Sequence, residues 1–258
     1  MGFSPYFKVG IDQLAIRSAI MYHPSMTFRK IPPPGFQGLC DDLPIRRYFR
    51  RLPHWRQAGA TYFVTFNLYD SLPVAAIEAL KRRRLTFDHE NPPPHNNEQI
   101  EEKARRLAQL EERWLDAGHG SCMFKSRGLR DRLCELFLSR NLDGGEDDSD
   151  ARYALGAWTI MPNHVHVLVR PLHDEITPLE EVLRLWKGAS ARELNRVREG
   201  TGPVWFQESH DRIVRDTEHL WRCLQYIGSN GALAGVDEDA YGRWVCSSWR
   251  AEGWGFDG

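Results

Sequence analysis

Between Ala154 and Val169 the chain holds two β-type runs, ALGAWTI and HVHVLV, parted only by Met161-Pro162-Asn163. Proline beside asparagine predicts a turn or bulge between two extended segments. The second run is apolar apart from His164 and His166. Side chains alternate along a strand, so both imidazoles leave one face, with Cα atoms roughly 6.5–7 Å apart. Metal–nitrogen bonds of about 2.0–2.1 Å let one ion bridge two such rings and leave room for oxygen ligands and a substrate. A plain structural pair of histidines fits the same text.

The remaining elements are read around that pair. Residues Ala60 to Leu68, ATYFVTFNL, are β-branched and aromatic, stand between Gly59 and a turn at Asp70-Ser71-Leu72-Pro73, and predict a buried first strand. Pro73 to Arg84 reads as helical, and the proline-rich stretch His89 to Asn97 as a loop that opens an excursion from the core. Glu98 to Leu115 and Leu129 to Leu138 have the spacing of ordinary amphipathic helices, and together these pieces make a helical insertion at about residues 85–150. Within it DGGEDDSD, Asp143 to Asp150, predicts an exposed acidic loop kept away from DNA. A helix from Pro178 to Val197, a break at Gly200-Thr201-Gly202, an extended stretch from Val204 to Val214 and a helix from Asp216 to Ser229 follow. The order β, α, β, β, α, β, α predicts an α+β fold: a ferredoxin-like antiparallel sheet with helices on one face, plus a terminal helix. Residues 1–42 read as an irregular N-terminal arm and 237–258 as a C-terminal tail, which leaves 43–236 to carry the chemistry.

A chain of 258 residues with 41% hydrophobic content has room for one large domain with extensions, or two small ones. Its 34 basic and 35 acidic residues nearly cancel, so any nucleic-acid surface must be a local patch. Cys40, Cys122, Cys134, Cys223 and Cys246 lie far apart without a C-x-x-C pair, which predicts reduced thiols in a cytoplasm. No apolar run approaches the roughly 20 residues of a membrane span, and the N-terminus lacks the order of a signal peptide. A soluble cytoplasmic protein is expected.

One local patch stands out. The text LPIRRYFRRLPHWR sets Arg46, Arg47, Arg50, Arg51 and Arg56 among Tyr48, Phe49 and Trp55, which offers phosphate-binding forks beside stacking platforms. A solvated basic segment is the plain alternative. In the last helix Tyr226 and Asn230 are one turn apart on one face, so a phenol and an amide oxygen can address the same metal. A core aromatic and a helix C-cap are again the plain alternative.

The text MPNHVHVLV (Met161 to Val169) and the tract WFQESHDRIVRDTEHLWRCLQYIGSNGALAG (Trp205 to Gly235) resemble the REP-associated tyrosine transposases, a branch of the HUH single-tyrosine transposases of small insertion sequences. YFVTFNLYDSLP (Tyr62 to Pro73) and Leu52-Pro53-His54-Trp55 resemble the same family's first strand and its lead-in, so the resemblance runs over about residues 44–236. It implies the HUH endonuclease fold, a divalent metal held by His164, His166 and Asn230, and Tyr226 as the nucleophile. Two departures stand in the last helix: Gly231 replaces a proline, and Gly228 inside the helix costs about 1 kcal/mol relative to alanine, so a looser helix end is expected. His210 stands where relatives tend to carry an aromatic and reads as a group supporting the site from behind or a surface residue, the latter preferred.

The resemblance further implies cleavage of single-stranded DNA at hairpins of repeated extragenic palindromes, with a 5′-phosphotyrosine intermediate and rejoining without a nucleotide cofactor. A phenol is almost wholly protonated at neutral pH, so metal or base must assist it. Oxygen and imidazole ligands suit Mg2+ or Mn2+. Arg46, Arg47, Arg50 and Arg51 are the candidate phosphate contacts, with Tyr48 or Trp55 stacking on an unpaired base. Lys187 and Arg192 are further candidates, or a solvated helix face. A monomer or homodimer, with DNA and not a membrane as partner, is expected. Two other readings stay open: a domesticated, inactive hairpin-binding protein, and a metal-dependent hydrolase of another class, which needs an acidic ligand and does not need Tyr226.

Overall fold

The computed structural model describes residues 31–50, 53–142, 150–173 and 177–257. Arg51, most of the acidic loop and most of the expected N-terminal arm lie outside the described residues.

Strands β3 (Tyr62–Asn67), β4 (Tyr153–Ile160), β5 (His164–Pro171), β6 (His210–Ile213) and β7 (Gly242–Val245) make one sheet in the order β6-β3-β5-β4-β7. Every neighbouring pair is antiparallel. The first four strands stand in the ferredoxin-like order, so the α+β class and the antiparallel sheet are as the element order led one to expect. Helices α3 (Arg127–Leu138) and α4 (Leu179–Val197) are the two crossovers, and both cover one face. There Phe137 and Trp186 pack on Tyr62, Phe66 and Val167 in the larger apolar cluster. The terminal helix α5 (Thr217–Leu233) takes the other face, where Leu220, Leu224 and Ile227 meet Phe63, Ala157 and Leu168. Asp216 caps it by accepting from the His219 amide at 2.7 Å.

Helices α1 (Val74–Glu90) and α2 (Asn97–Asp116) form a hairpin between β3 and α3, the latter preceded by a 3-10 turn at Met123–Lys125. A capping box at Asn96 and Gln99 starts α2. The hairpin has its own small apolar cluster of Leu72, Ala76 and Leu115, flanked by Leu80 and Trp114. The basic segment folds as a two-stranded sheet of β1 (Arg46–Phe49) and β2 (Pro53–Arg56). The stretch expected as extended from Val204 to Val214 pairs only over β6, with a lone bridge from Trp205 to Leu68. Its middle is held off the ladder by Lys187, whose ammonium donates to Phe206 O at 3.0 Å, Glu208 O at 3.1 Å and Ser209 Oγ at 2.9 Å.

The segment read as a C-terminal tail holds β7, which extends the sheet beside β4, and the short α6 (Ser247–Ala251) on the α5 face. Its tryptophans tie it to the start of the described chain: the Trp249 indole donates to Pro34 O at 3.0 Å and that of Trp254 to Ile31 O at 2.9 Å. The expected looseness at the end of α5 is corrected here. A Cβ on Gly228 would come within 2.6 Å of Phe256, and one on Gly231 within 2.3 Å of the Tyr241 ring. The glycines make room for aromatic cover, and the helix runs on past Asn230 to Leu233. No helix among the described residues is long and apolar enough to cross a membrane.

Candidate metal centre

The period of β5 puts His164 and His166 on the face beneath α5, both fully buried, with ring centroids 4.8 Å apart. Each ring is oriented from behind. Asn163 donates both amide hydrogens to main-chain carbonyls, Leu115 O and His119 O, each at 3.1 Å. Its Oδ1 is therefore the atom facing His164 Nδ1 at 2.8 Å, and an acceptor there makes Nδ1 the protonated nitrogen. In its neutral form the ring then keeps its lone pair on Nε2, the tautomer a metal ligand needs. Thr65 Oγ1 lies 2.8 Å from His166 Nδ1, and Phe63 stacks on the same ring at 5.6 Å.

Glu112, on α2, is the residue that sequence reasoning missed. Its Oε1 lies 3.0 Å from His166 Nε2 and 4.0 Å from His164 Nε2. The one ligand atom offered by each of the three lies within 4.8 Å of the others, the span of a single ion's coordination shell. Burial works against a charge on Glu112, but the fields of His166 and His164 and the bond from Tyr226 outweigh it and hold the carboxyl well below its usual range.

Helix α5 brings the other two candidates to the same place. Tyr226, 4% exposed, donates its hydroxyl proton to Glu112 Oε1 and accepts from Asn230 Nδ2 at 2.9 Å. The Tyr226 ring stands edge-on to His166 at 5.2 Å. Asn230 is fully buried, and its Oδ1 has no hydrogen-bond partner. Such an orphaned buried oxygen is costly in a protein alone and is a ready ligand for a cation. Two imidazoles, a carboxylate and an amide oxygen fit a divalent ion of the Mg2+ or Mn2+ kind.

The basic hairpin stands apart from this cluster. Arg46, Arg47 and Arg50 are exposed. The Arg47 guanidinium lies 4.3 Å over the Trp55 ring and donates to Asn97 Oδ1 at 3.0 Å. Tyr48 stacks on His54 at 5.1 Å and gives its hydroxyl proton to Glu180. Arg56 pairs with Asp211 and, at 3.0 Å, with Glu180, while His54 Nδ1 meets Asp211 at 2.7 Å. Tyr48, His54 and Arg56 thus dock the hairpin on β6 and α4. Lys187 is half-buried and committed to the carbonyls of residues 206–208 and the Ser209 hydroxyl, so it does not belong to a solvated face, while Arg192 is exposed. Burial pushes the Lys187 ammonium down to about 8, against the pull of Glu208. His210 is not a surface residue: its side chain is only 23% exposed, and Nε2 is paired with Glu111. Burial opposes its charge, but Glu111 overcomes that and raises its pKa.

Neither a family model nor a curated protein matches the chain. Among solved structures, that of a REP-associated tyrosine transposase bound to a REP hairpin is similar over 75% of this chain and 74% of its own, at 13% identity and a TM-score of 0.35.

Proposed function

We propose that the chain is a single-tyrosine transposase of the HUH type, a metal-dependent enzyme that cuts single-stranded DNA beside hairpins of repeated-extragenic-palindrome type and rejoins it. One observation carries this reading: the Tyr226 hydroxyl, the His164 and His166 imidazoles and Asn230 converge on one buried point. These are the residues at which the sequence resembles that family.

His164, His166, Glu112 and Asn230 would hold the divalent ion, which supplies positive charge to the scissile phosphate. Tyr226 provides the attacking oxygen. Its proton is directed at Glu112 Oε1, and the Asn230 amide donates to the same phenolic oxygen, which favours the phenolate. Attack forms a Tyr226 oxygen–phosphorus bond and breaks the bond from phosphorus to the 3′ oxygen. The leaving 3′ oxygen takes up a proton, which balances the one Tyr226 gives up towards Glu112; the products are a 5′-phosphotyrosine and a 3′-hydroxyl, and return attack by a 3′-hydroxyl reseals a strand with no nucleotide cofactor. Asn163, Thr65 and Phe63 keep both rings in place.

Glu112 also favours a second reading. It is the acidic ligand required by a metal-dependent hydrolase that activates water on His164, His166 and Glu112 and leaves Tyr226 without a chemical role. A covalent adduct separates the two. Incubated with a single-stranded hairpin substrate and Mn2+, the wild-type chain shifts on a denaturing gel by the mass of the downstream strand. Tyr226→Phe forms no adduct and Tyr241→Phe forms it normally. Cleavage with no adduct in either chain selects the hydrolase.

A further inference from the structure

Across the sheet, the Cα partners of Thr65 are His210 on β6 and His166 on β5. The three residues form one row on the face that carries the metal centre, so the histidines sit two strands apart, about 9.6 Å. Above them α2 presents two adjacent acids. Glu111 takes His210 and Glu112 takes His166. Neighbouring residues on a helix point about 100° apart, which lets one turn of α2 straddle the intervening strand.

This matters because little else presses α2 onto the sheet. Its only buried residues are Glu111 and Leu115, and Leu115 belongs to the small cluster that α2 shares with α1. Beyond the contacts of Glu112 itself with Tyr226, His164 and His166, the other ties described are polar: Asn163 to the carbonyls of Leu115 and His119, and Arg47 to Asn97. The Glu111–His210 pair is largely enclosed, with side chains 10% and 23% exposed, so it is shielded from the screening that weakens surface pairs.

We propose that His210 and Glu111 are positioning residues: their pair seats α2 on the edge strand so that Glu112, the next residue, reaches the metal centre. The inference rests on the metal-centre reading above, and it assigns the helical insertion a place in the site.

Mn2+ binding to the full chain by titration calorimetry, well below the melting temperature, tests it. Glu112→Ala weakens binding, and His210→Ala weakens it by a similar factor, about tenfold or more, with melting little changed. Glu111→Gln, which keeps the shape and removes the charge, gives a smaller loss in the same direction. In a Glu112→Ala background, His210→Ala produces no further loss, because it acts through Glu112. Wild-type affinity in both His210→Ala and Glu111→Gln, with binding abolished in His164→Ala, overturns the positioning role alone. Additive losses from His210→Ala and Glu112→Ala also overturn it. No Mn2+ binding by the wild-type chain overturns the metal centre itself, and the positioning role with it.

Discussion

Helices α5 and α2 both deliver a side chain to one pocket, but they are held there by different forces. On α5 the residues around Tyr226 are buried against the sheet, among them Leu220, Cys223, Leu224 and Ile227. On α2 the residue next to Glu112 is held by an ion pair, and the apolar contacts belong to a separate cluster. Tyr226 therefore stands on a wall fixed by packing, and Glu112 on a wall fixed by charge. Packing is dense and non-directional, so it tolerates no shift, whereas an ion pair can be exchanged for solvent.

The largest test sets the histidines of β5, which both walls face, against the carboxylate of the α2 wall. His164→Ala and His166→Ala are each expected to lower cleavage about a thousandfold, roughly 4 kcal/mol of transition-state stabilisation, with hairpin binding retained. Glu112→Ala is expected to lose less and to recover partly at high Mn2+. Full activity in excess EDTA would remove the metal from the scheme.

Stability sharpens the comparison next. Leu224→Ala opens a cavity beneath α5 and should cost about 2–5 kcal/mol in global unfolding. Leu115→Ala should instead speed amide hydrogen exchange within α1 and α2 and shift global melting much less. Equal global losses would show that the hairpin folds as one unit with the sheet.

Acid tests the α5 wall alone. His219 lies in its first turn, where burial first and then Arg212, Arg215 and Arg222 press its pKa down to about 2, and its Nδ1 accepts from the Arg215 amide at 3.1 Å. The folded value lies below the unfolded one, so the unfolded chain takes up the proton first. Stability then falls as pH drops below about 6.5, by at most about 1.4 kcal/mol per pH unit. His219→Asn, which keeps an acceptor near Nδ1, should flatten that slope in denaturant melts between about pH 6.5 and 4. An unchanged slope assigns the acid sensitivity to other groups.

The smallest effect concerns neither wall. Replacing Arg46, Arg47, Arg50 and Arg51 with alanine should weaken hairpin binding and reduce its salt dependence by about 0.7 in log–log slope for each single-strand phosphate that is no longer neutralised. An unaltered slope would send the DNA path over another surface.

The same contrast explains what was legible in the sequence. His164 and His166 announce themselves because a period of two in an apolar strand leaves any polar exception visible, whereas the one-turn spacing of Tyr226 and Asn230 suits a core aromatic and a C-cap equally and gained its meaning only from the family resemblance. Glu112 carries no such mark. In the run Glu111-Glu112-Arg113 it looks like any charged position on an amphipathic helix, and its partners lie far away in the chain. His210 misleads for the same reason, since its partner Glu111 lies 99 residues away in the chain. Strand β7 and helix α6 are too short to show a period, and rest on Trp244, Trp249 and Trp254. The glycines of α5 mislead in the opposite sense. Whether a glycine loosens a helix or admits a neighbour depends on what lies beside it, and Phe256 and Tyr241 come from the segment that reads as a tail.

That aromatic cover bears on how far the chain can be trimmed. A fragment cut back to residues 43–236 retains every group proposed for the chemistry, yet it lacks the rings lying against Gly156, Gly228 and Gly231. It also lacks the carbonyls of Ile31 and Pro34 that receive the Trp254 and Trp249 indoles. The bared helix surface adjoins Asn230, so trimming would expose apolar area and unsettle a residue of the pocket at once. Attempts to trim or fuse this chain should keep residues 31–42 and 237–257 together, because they form a two-part clasp around the back of the helix that carries Tyr226.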